Sequence, residues 1–374
     1  MPKLKPEPLE LTRLLIAWGT VVAFFIFGGI WLADLESPVK SVALFVWLFT
    51  IIAWCAFGVI EHAEHLAELL GEPLGTLILT LSIIIIEVAL IAAVMLTSDA
   101  SPTLGRDTMF ALLMIILNGT VGLALLLGGI RHHEQEYNLQ GAAAFFALIV
   151  PLSVIALVLP NFTRSTQSPS LAGIQAFFFA VFTILLYGVF LAIQTVRHRG
   201  FFVDPQHVPA AVNTQRESHE QSSLWEIGGH TLLLILTVLP IVLLAKQLAK
   251  VVDHGIAVLG APAALGGVLI ALIVFTPEGL SALRAALANQ LQRAVNLCLG
   301  AALSTIALTV PAVLGIGLIT GQPVILGLNS ADMTLLAVTL ALSMVTFGGS
   351  RTTVLEGAVH LVLFLVYIVL IFSP

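Results

Sequence analysis

Apolar stretches long enough to cross a lipid bilayer fill almost the whole of this chain. Of its 374 residues, 59% are hydrophobic and only 10% are charged, whereas a soluble domain carries about 25% charged residues. A helix of about 20 apolar residues spans the hydrocarbon core. The sequence therefore predicts an all-α, polytopic membrane protein. Its eleven expected membrane helices lie at residues 13–33, 39–60, 75–97, 107–130, 141–160, 171–196, 227–248, 261–287, 294–320, 331–348 and 353–372.

Two stretches repeat the same sequence phrase, and each ends in a glutamate inside an apolar helix. They cover residues 64–87 and 253–278, and their last residues are Glu87 and Glu278. In both, an acid followed by His precedes a Pro by nine residues, and a Gly precedes the final glutamate by twelve. A membrane-buried carboxylate that recurs in two halves is typical of secondary transporters. We therefore expect a cation site where the two repeats meet.

The repeat also predicts how the chain is organised. Residues 1–36 form an extra N-terminal helix, residues 37–196 a first five-helix repeat, residues 197–224 a polar linker, and residues 225–374 a second five-helix repeat. Because five is odd, the second repeat enters the membrane upside down relative to the first, which is the inverted-topology architecture.

Lysine and arginine in the loops predict the orientation in the membrane. With the N-terminus inside, ten of the 15 basic residues fall in inside loops. Positive loops face the cytoplasm, so we expect a cytoplasmic N-terminus, an outside C-terminus and a bacterial inner (plasma) membrane location.

The two glutamates are the candidate ligands for a metal cation and for protons. An ionised carboxylate at mid-depth costs at least about 2.5 kcal/mol, so each is expected to be protonated, paired or bound to a cation. Glu278 follows Thr276 and Pro277. A helical proline frees the carbonyl four residues back, here that of Ile273, which with the threonine hydroxyl outlines a hard-cation site. The plainer interpretation is a kink that only lets the helix pack.

Other polar residues in apolar helices are candidate additional ligands. Counting twelve residues from Arg106 and from Arg293 places Asn118 opposite Thr305, next to Ser304. Ser82 lies one turn and a half before Glu87. These side chains either touch the ion or only join helices.

Small residues and acid–His pairs complete the candidate set. Glycines permit close helix crossing, and Gly75 and Gly266 hold equivalent positions in the repeat. Five further residues are expected at the two mouths of the pathway, either as cation and proton access groups or as solvated surface: Glu64, His65, Glu68, Asp253 and His254.

These features favour an antiporter that exports a cation against inward protons. Two buried carboxylates repel each other, so protons or a cation must neutralise them, and a site that cannot cross empty couples the two fluxes. A cation channel and a membrane-embedded enzyme are the rival interpretations. We expect no enzyme activity, no cofactor and no nucleic-acid partner, and the oligomeric state stays open.

At these residues the chain resembles the cation/proton exchangers of the calcium/cation antiporter superfamily, and most of all the bacterial sodium/calcium/potassium–proton antiporters. The stretch from Glu64 to Gly75 and on to Glu87 is similar to the first-repeat signature, and Glu278 with residues 300–311 is similar to the second. The resemblance implies that Glu87 and Glu278 are paired calcium and proton ligands and that Glu64 is an accessory acid.

The chain departs from that family pattern beside both glutamates. The usual Gly-Asn three and four residues earlier is replaced by residues 83–84 (Ile-Ile) and 274–275 (Val-Phe), the His after the second glutamate by Gly279, and a Gln by Ser304. Since calcium takes six to eight oxygen ligands, the lost side-chain oxygens make sodium or potassium a serious alternative to calcium.

Overall fold

A computed structural model describes residues 8–71, 74–95, 102–203, 224–321 and 324–373. In this part of the chain the elements are helices, apart from one short two-stranded ribbon. The helices are α1 (Pro8–Trp31), α2 (Pro38–Leu70), α3 (Leu74–Met95), α4 (Leu104–Met114), α5 (Val121–His132), α6 (Leu139–Leu157), α7 (Gly173–Ala192), α8 (Leu224–Leu259), α9 (Ala264–Leu287), α10 (Leu291–Ser304), α11 (Val310–Thr320), α12 (Ser330–Thr346) and α13 (Val354–Phe372). The strands are β1 (Gln135–Glu136) and β2 (Arg351–Thr352).

Two of the membrane-length segments are interrupted in mid-length by π-helical turns, and a third segment ends in one, Ile193–Arg197. Ile115–Thr120, the 115–120 π turn, joins α4 to α5, and Thr305–Thr309, the 305–309 π turn, joins α10 to α11. Within the described ranges nine helical segments are long and apolar enough to cross a membrane. Two shorter apolar helices, Leu77–Ala93 and Ser330–Thr346, bring the number to the eleven that the sequence predicts. After α1, five of them precede residue 197 and five follow residue 224, as two five-helix repeats require.

The repeated sequence phrase produces two equivalent helix ends. α2 ends at Leu70 and is followed by Gly71 with φ 66°, and α8 ends at Leu259 and is followed by Gly260 with φ 60°. A positive φ suits glycine, which is the commonest residue just past a helix. Both helices continue past their apolar runs, so the predicted ends at residues 60 and 248 were too early.

The chain divides into two compact units that do not follow the sequence repeats. The first contains α1, α2, α3 and α8, and the second contains the remaining helices. In the first unit α2 packs along α8, and α3 packs against both. In the second, α9 packs against α4, α5 and α10, and α5 packs against α13. The repeat boundaries at residues 36, 196 and 224 stay a prediction, since a repeat is defined by sequence and not by packing. Most of the predicted linker, residues 204–223, lies outside the described residues.

The β ribbon fixes the start of α13. Glu136 of β1 pairs with Arg351 of β2, whose guanidinium also lies 3.0 Å from Glu134. Hydrogen bonds and charge from both carboxylates raise the pKa of Arg351 above its ordinary value. Immediately afterwards Thr353 caps α13: its side chain accepts from the amide of Leu355, 3.3 Å away. Such a cap satisfies an amide that the helix itself leaves unpaired.

Candidate cation and proton sites

Glu87 lies in the middle of α3 in the first unit. Only 1% of its surface is exposed, and α3 packs against α2 and α8. One turn and a half earlier, the buried Ser82 hydroxyl donates to the carbonyl of Ile78, 2.7 Å away. A hydroxyl that donates to its own helix keeps its lone pairs, so Ser82 retains an oxygen for a cation or an acidic proton.

The close approach of α3 to α2 fixes the depth of Glu87. A Cβ at the buried Gly75 would lie 2.5 Å from the carbonyl oxygen of Ala67 in α2, so the two helices meet backbone to backbone. The amide of Gly75 also donates to the carbonyl of Gly71 at 2.7 Å. Glu87 follows Gly75 by twelve residues, which at 1.5 Å per residue is about 18 Å along α3. The predicted crossing glycine therefore lies at the end of the helix and not beside the carboxylate.

Glu278 lies in α9 of the second unit, directly after the buried Pro277, and is partly buried itself. The proline removes the amide that would otherwise pair with the carbonyl of Ile273, a buried residue. The hydroxyl of Thr276 donates to the carbonyl of Leu272, so it too bonds within its own helix. The predicted group of carboxylate, freed carbonyl and hydroxyl thus occupies one continuous turn of α9.

The 115–120 π turn packs against the helix that carries Glu278. A Cβ at Gly279 would lie 3.6 Å from the Thr120 hydroxyl. π-helical turns that interrupt α-helices are frequent at functional sites. Here the turn places a polar side chain beside the residue next to Glu278.

Asn118 lies in the same π turn and is fully buried. Its side chain contacts polar and sulfur-containing side chains. Its Nδ2 donates to the Thr339 hydroxyl at 2.8 Å and to the Met114 sulfur at 3.5 Å. Its Oδ1 lies 3.1 Å from Nδ1 of His360. Asn118, predicted as a ligand, is held by α12 and α13 in this structure. The sequence pattern indicated only a packed or interfacial role for His360, a single His inside an otherwise apolar helix, and it did not single out Thr339 or Met114.

Ser304 and Thr305, the predicted partners from the second repeat, lie at the start of the 305–309 π turn. Both are buried, and Ser304 donates to the carbonyl of Ala301 at 3.0 Å. Gly266 is buried in α9. The next residue, Gly267, lies against α4: a Cβ on it would lie 2.7 Å from the amide nitrogen of Thr108. Both π turns thus fall at the two positions that the repeat aligns.

The predicted access residues lie near the ends of α2 and α8, both in the first unit. Glu64, His65, Glu68 and Asp253 are exposed, and His254 is partly buried.

Two buried groups, His62 and Arg13, lie near that end of α2. The rings of His62 and His65 lie 5.9 and 5.1 Å from that of His230 in α8. Arg13 of α1 is buried and pairs with Glu61 at 2.7 Å. The acidic end of α2 therefore forms an imidazole cluster with α8 and an ion pair with Arg13 of α1.

No group of three His, Cys, Asp or Glu side chains is arranged to hold a metal ion in the part of the chain that the structure describes. The candidate ligands are instead one carboxylate in each unit together with hydroxyl, amide and carbonyl oxygens, the ligand type that hard cations prefer. Cys55 and Cys298 are buried free thiols, as their apolar surroundings predict.

Comparison with known proteins identifies the family. The sequence profile described as "Sodium/calcium exchanger protein" matches residues 40–196 and 229–373. The y4hA protein of Sinorhizobium fredii (strain NBRC 101917 / NGR234) is 38% identical over 363 residues, 96% of each chain. The sodium-potassium/proton antiporter ChaA of Escherichia coli (strain K12) is 37% identical over 372 residues, which cover 97% of this chain and 96% of that protein.

A solved structure shares the fold. The crystal structure of the selenium-substituted Ca2+/H+ antiporter protein YfkE superposes with a TM-score of 0.72 at 17% identity, over 97% of this chain and 99% of that one. Because the profile matches both halves of the chain, and two relatives share more than a third of its residues over nearly its full length, the chain belongs to the sodium/calcium exchanger protein family and is a multi-pass membrane cation antiporter.

Proposed function

We propose that this chain exchanges cations for protons, and that Glu87 and Glu278 each alternate between a protonated and a cation-bound form. The observation that carries the proposal is the burial of Glu87: a carboxylate with 1% of its surface exposed lies within an apolar helix. Leaving it ionised and unneutralised costs at least about 2.5 kcal/mol. A proton or a cation removes that cost, so each can displace the other.

Sodium or potassium is the substrate that the residues around the glutamates favour. One turn before each glutamate stand Ile83, Ile84, Val274 and Phe275, which offer no side-chain oxygen. Calcium takes six to eight oxygen ligands, whereas a singly charged ion needs fewer negative charges to neutralise it. The E. coli relative with 37% identity is named a sodium-potassium/proton antiporter, which supports the same choice.

Calcium is the second candidate substrate. A relative from Aphanothece halophytica, 24% identical over 326 residues, is named a Ca(2+)/H(+) antiporter. In the second unit, the freed carbonyl of Ile273 and the hydroxyl of Thr276 add oxygens that a divalent ion at Glu278 could use. Calcium is therefore tested beside the monovalent ions.

The pathway faces the cytoplasm and the outside of a bacterial inner membrane, with the N-terminus in the cytoplasm. The distribution of Lys and Arg supports this orientation. Glu64, His65, Glu68, Asp253 and His254 then serve the entry and exit of cations and protons, because all five lie near helix ends and none is fully buried.

The test is proton-coupled exchange in vesicles. The purified protein is reconstituted with an acidic interior containing a pH-sensitive dye, and sodium, potassium and calcium salts are added outside in turn. We expect the interior to become alkaline with sodium or potassium, and more slowly with calcium. Glu87→Gln and Glu278→Gln should each reduce exchange to the background of empty vesicles. Glu36→Gln, which changes an exposed glutamate outside the helices, is the matched control and should exchange like the unmodified chain.

Each outcome separates one part of the proposal. Alkalinisation with calcium alone would overturn the monovalent preference and leave proton exchange standing. Wild-type exchange in either glutamine variant would remove that glutamate from the site. A cation flux that responds to membrane voltage without any proton movement would make the chain a channel.

A further inference from the structure

A closed hydrogen-bonded cluster in the second unit joins three helical segments around Asn118. Its members are Asn118 of the 115–120 π turn, Thr339 and Thr346 of α12, and His360 of α13. Asn118, Thr339 and His360 have no exposed surface. Burying polar groups costs free energy unless they are hydrogen-bonded. The hydrogen bonds among these four side chains therefore offset the cost of burying them.

The hydrogen-bond partners of His360 show that its Nδ1 carries a hydrogen. The Oδ1 of Asn118 can only accept, so Nδ1 of His360, 3.1 Å away, must carry the hydrogen. Nε2 of the neutral ring then accepts from the Thr346 hydroxyl at 3.0 Å. On its other side the Asn118 amide donates to Thr339 at 2.8 Å. The Asn118 carboxamide is thus hydrogen-bonded through both its nitrogen and its oxygen, and the oxygen accepts from the imidazole.

Glycines bring α13 close enough for this contact. A Cβ at Gly357 would lie 2.5 Å from the amide nitrogen of Leu126 and 2.8 Å from the carbonyl oxygen of Gly122, both in α5. Backbone therefore meets backbone one turn before His360 in α13. The packing of α13 against α5 therefore sets the position of the imidazole ring beside Asn118.

The cluster includes a residue of the π turn that packs against α9, the helix that carries Glu278. Asn118 and Thr120 belong to the same π turn, and Thr120 lies against Gly279, the residue after Glu278. A change in the hydrogen bond between His360 and Asn118 therefore alters the surface of the π turn against which α9 packs.

We propose that His360 is a positioning residue for cation exchange: through its Nδ1 hydrogen bond to Asn118 it holds the 115–120 π turn in the form that sets cation affinity at Glu278. The proposal rests on the proposed role of Glu278. His360 itself touches neither the cation nor the exchanged proton.

Two substitutions at the same position separate this role from simple packing. In His360→Asn the side-chain Nδ2 is attached to Cγ, as Nδ1 is in histidine, and can donate to Asn118. In His360→Gln the amide nitrogen lies one bond further out, near the former Nε2, and cannot. We expect the Gln variant to raise the KM for sodium or potassium by about three- to tenfold, the shift that one hydrogen bond accounts for. The maximal rate should change little, and the Asn variant should restore the KM.

The opposite results overturn the proposal. Equal KM values in the Asn and Gln variants would show that the Nδ1 bond is irrelevant. Equal losses of maximal rate, together with a lower melting temperature, would make His360 a purely structural residue. Thr339→Val removes the other partner of Asn118 with little change of shape, and it should raise the KM in the same way; it decides the matter should the Gln variant not fold.

The Glu278→Gln variant distinguishes a failure of the proposed role of Glu278 from a failure of the positioning role of His360. If Glu278→Gln exchanges normally, the proposed role of Glu278 fails whatever the His360 variants do. If Glu278→Gln is inactive while both His360 variants keep the wild-type KM, only the positioning role fails.

Discussion

Replacing Gly267 by alanine tests how closely α9 must approach α4. The new Cβ would lie 2.7 Å from the amide nitrogen of Thr108 and 2.8 Å from the carbonyl carbon of Asp107. Against an ordinary contact of about 3.4 Å the shortfall is about 0.7 Å, and backbone on both sides leaves no side chain to move aside. Overpacking of this kind typically costs about 1–3 kcal/mol. We therefore expect Gly267→Ala to unfold at a lower temperature in detergent.

A glycine with open space around it provides the matched control. Nothing lies within 4 Å of a Cβ at Gly188 in α7. Alanine is the better helix former by about 0.8–1.0 kcal/mol, so Gly188→Ala should unfold at an equal or higher temperature. Opposite signs for the same chemical change are the signature of the close crossing. The reasoning is refuted if Gly267→Ala is as stable as the unmodified chain, or if both variants lose stability equally.

The same substitution also bears on transport. Glu278 follows Gly267 by eleven residues, about 16 Å along α9. A helix pushed away from α4 moves the whole turn that contains Pro277 and Glu278. Exchange measured in vesicles should therefore fall in Gly267→Ala and stay unchanged in Gly188→Ala.

Two further predictions concern the first unit. Trp18 of α1 donates to the carbonyl of Leu236 at 3.1 Å, which Pro240 deprives of its helical partner; Trp18→Phe should cost about 1 kcal/mol of unfolding free energy. That cost should shrink in a Pro240→Ala background, where the carbonyl regains an amide, and a thermal-unfolding double-mutant cycle with additive costs would contradict this. Glu64→Ala should slow the initial rate of exchange more than it lowers the final accumulation, because an exposed acid near a helix end affects access and not the coupling; a wild-type rate would make it ordinary surface.

The sequence predicted the helices well because their signals are local. Apolar runs located the eleven apolar helices of the described residues, nine of which are of membrane length. The repeated Leu-Gly pairs lie at the ends of α2 and α8, where Gly71 and Gly260 have positive φ, but the predicted ends at residues 60 and 248 did not use them. Both signals depend on a few neighbouring residues. The ends themselves were missed where polar residues continue a helix, as Glu61 and Glu68 do in α2, because hydropathy follows the membrane and not the helical hydrogen bonds.

The geometry around the candidate ligands depends on distant residues and could not be predicted. A π turn changes the hydrogen-bond pattern by one residue and leaves hydropathy unaltered, so both π turns looked like unbroken helix. Asn118 and His360 are 242 residues apart in the chain, and only the crossing of α5 and α13 brings them together. Sequence reasoning could name Asn118 as a polar residue in an apolar helix, but not its partner.

The two π turns show where the halves of the chain are alike and where they differ. The 115–120 π turn packs against α12 and α13, and the 305–309 π turn packs against α6 and α7, so each meets the last two helices of the opposite half. Duplicated backbones reproduce that packing, but they do not reproduce the side chains.

In the first case His360 and Thr339 hold the turn through Asn118. Around the second, the buried hydroxyls of Ser153 and Thr309 have no hydrogen-bond partner among the described residues. Breaking each buried hydrogen bond costs free energy, so the bonds of Asn118 to His360 and Thr339 hold the first turn in one form. That is why substitutions at His360 should change KM, while those at the glutamates should abolish exchange.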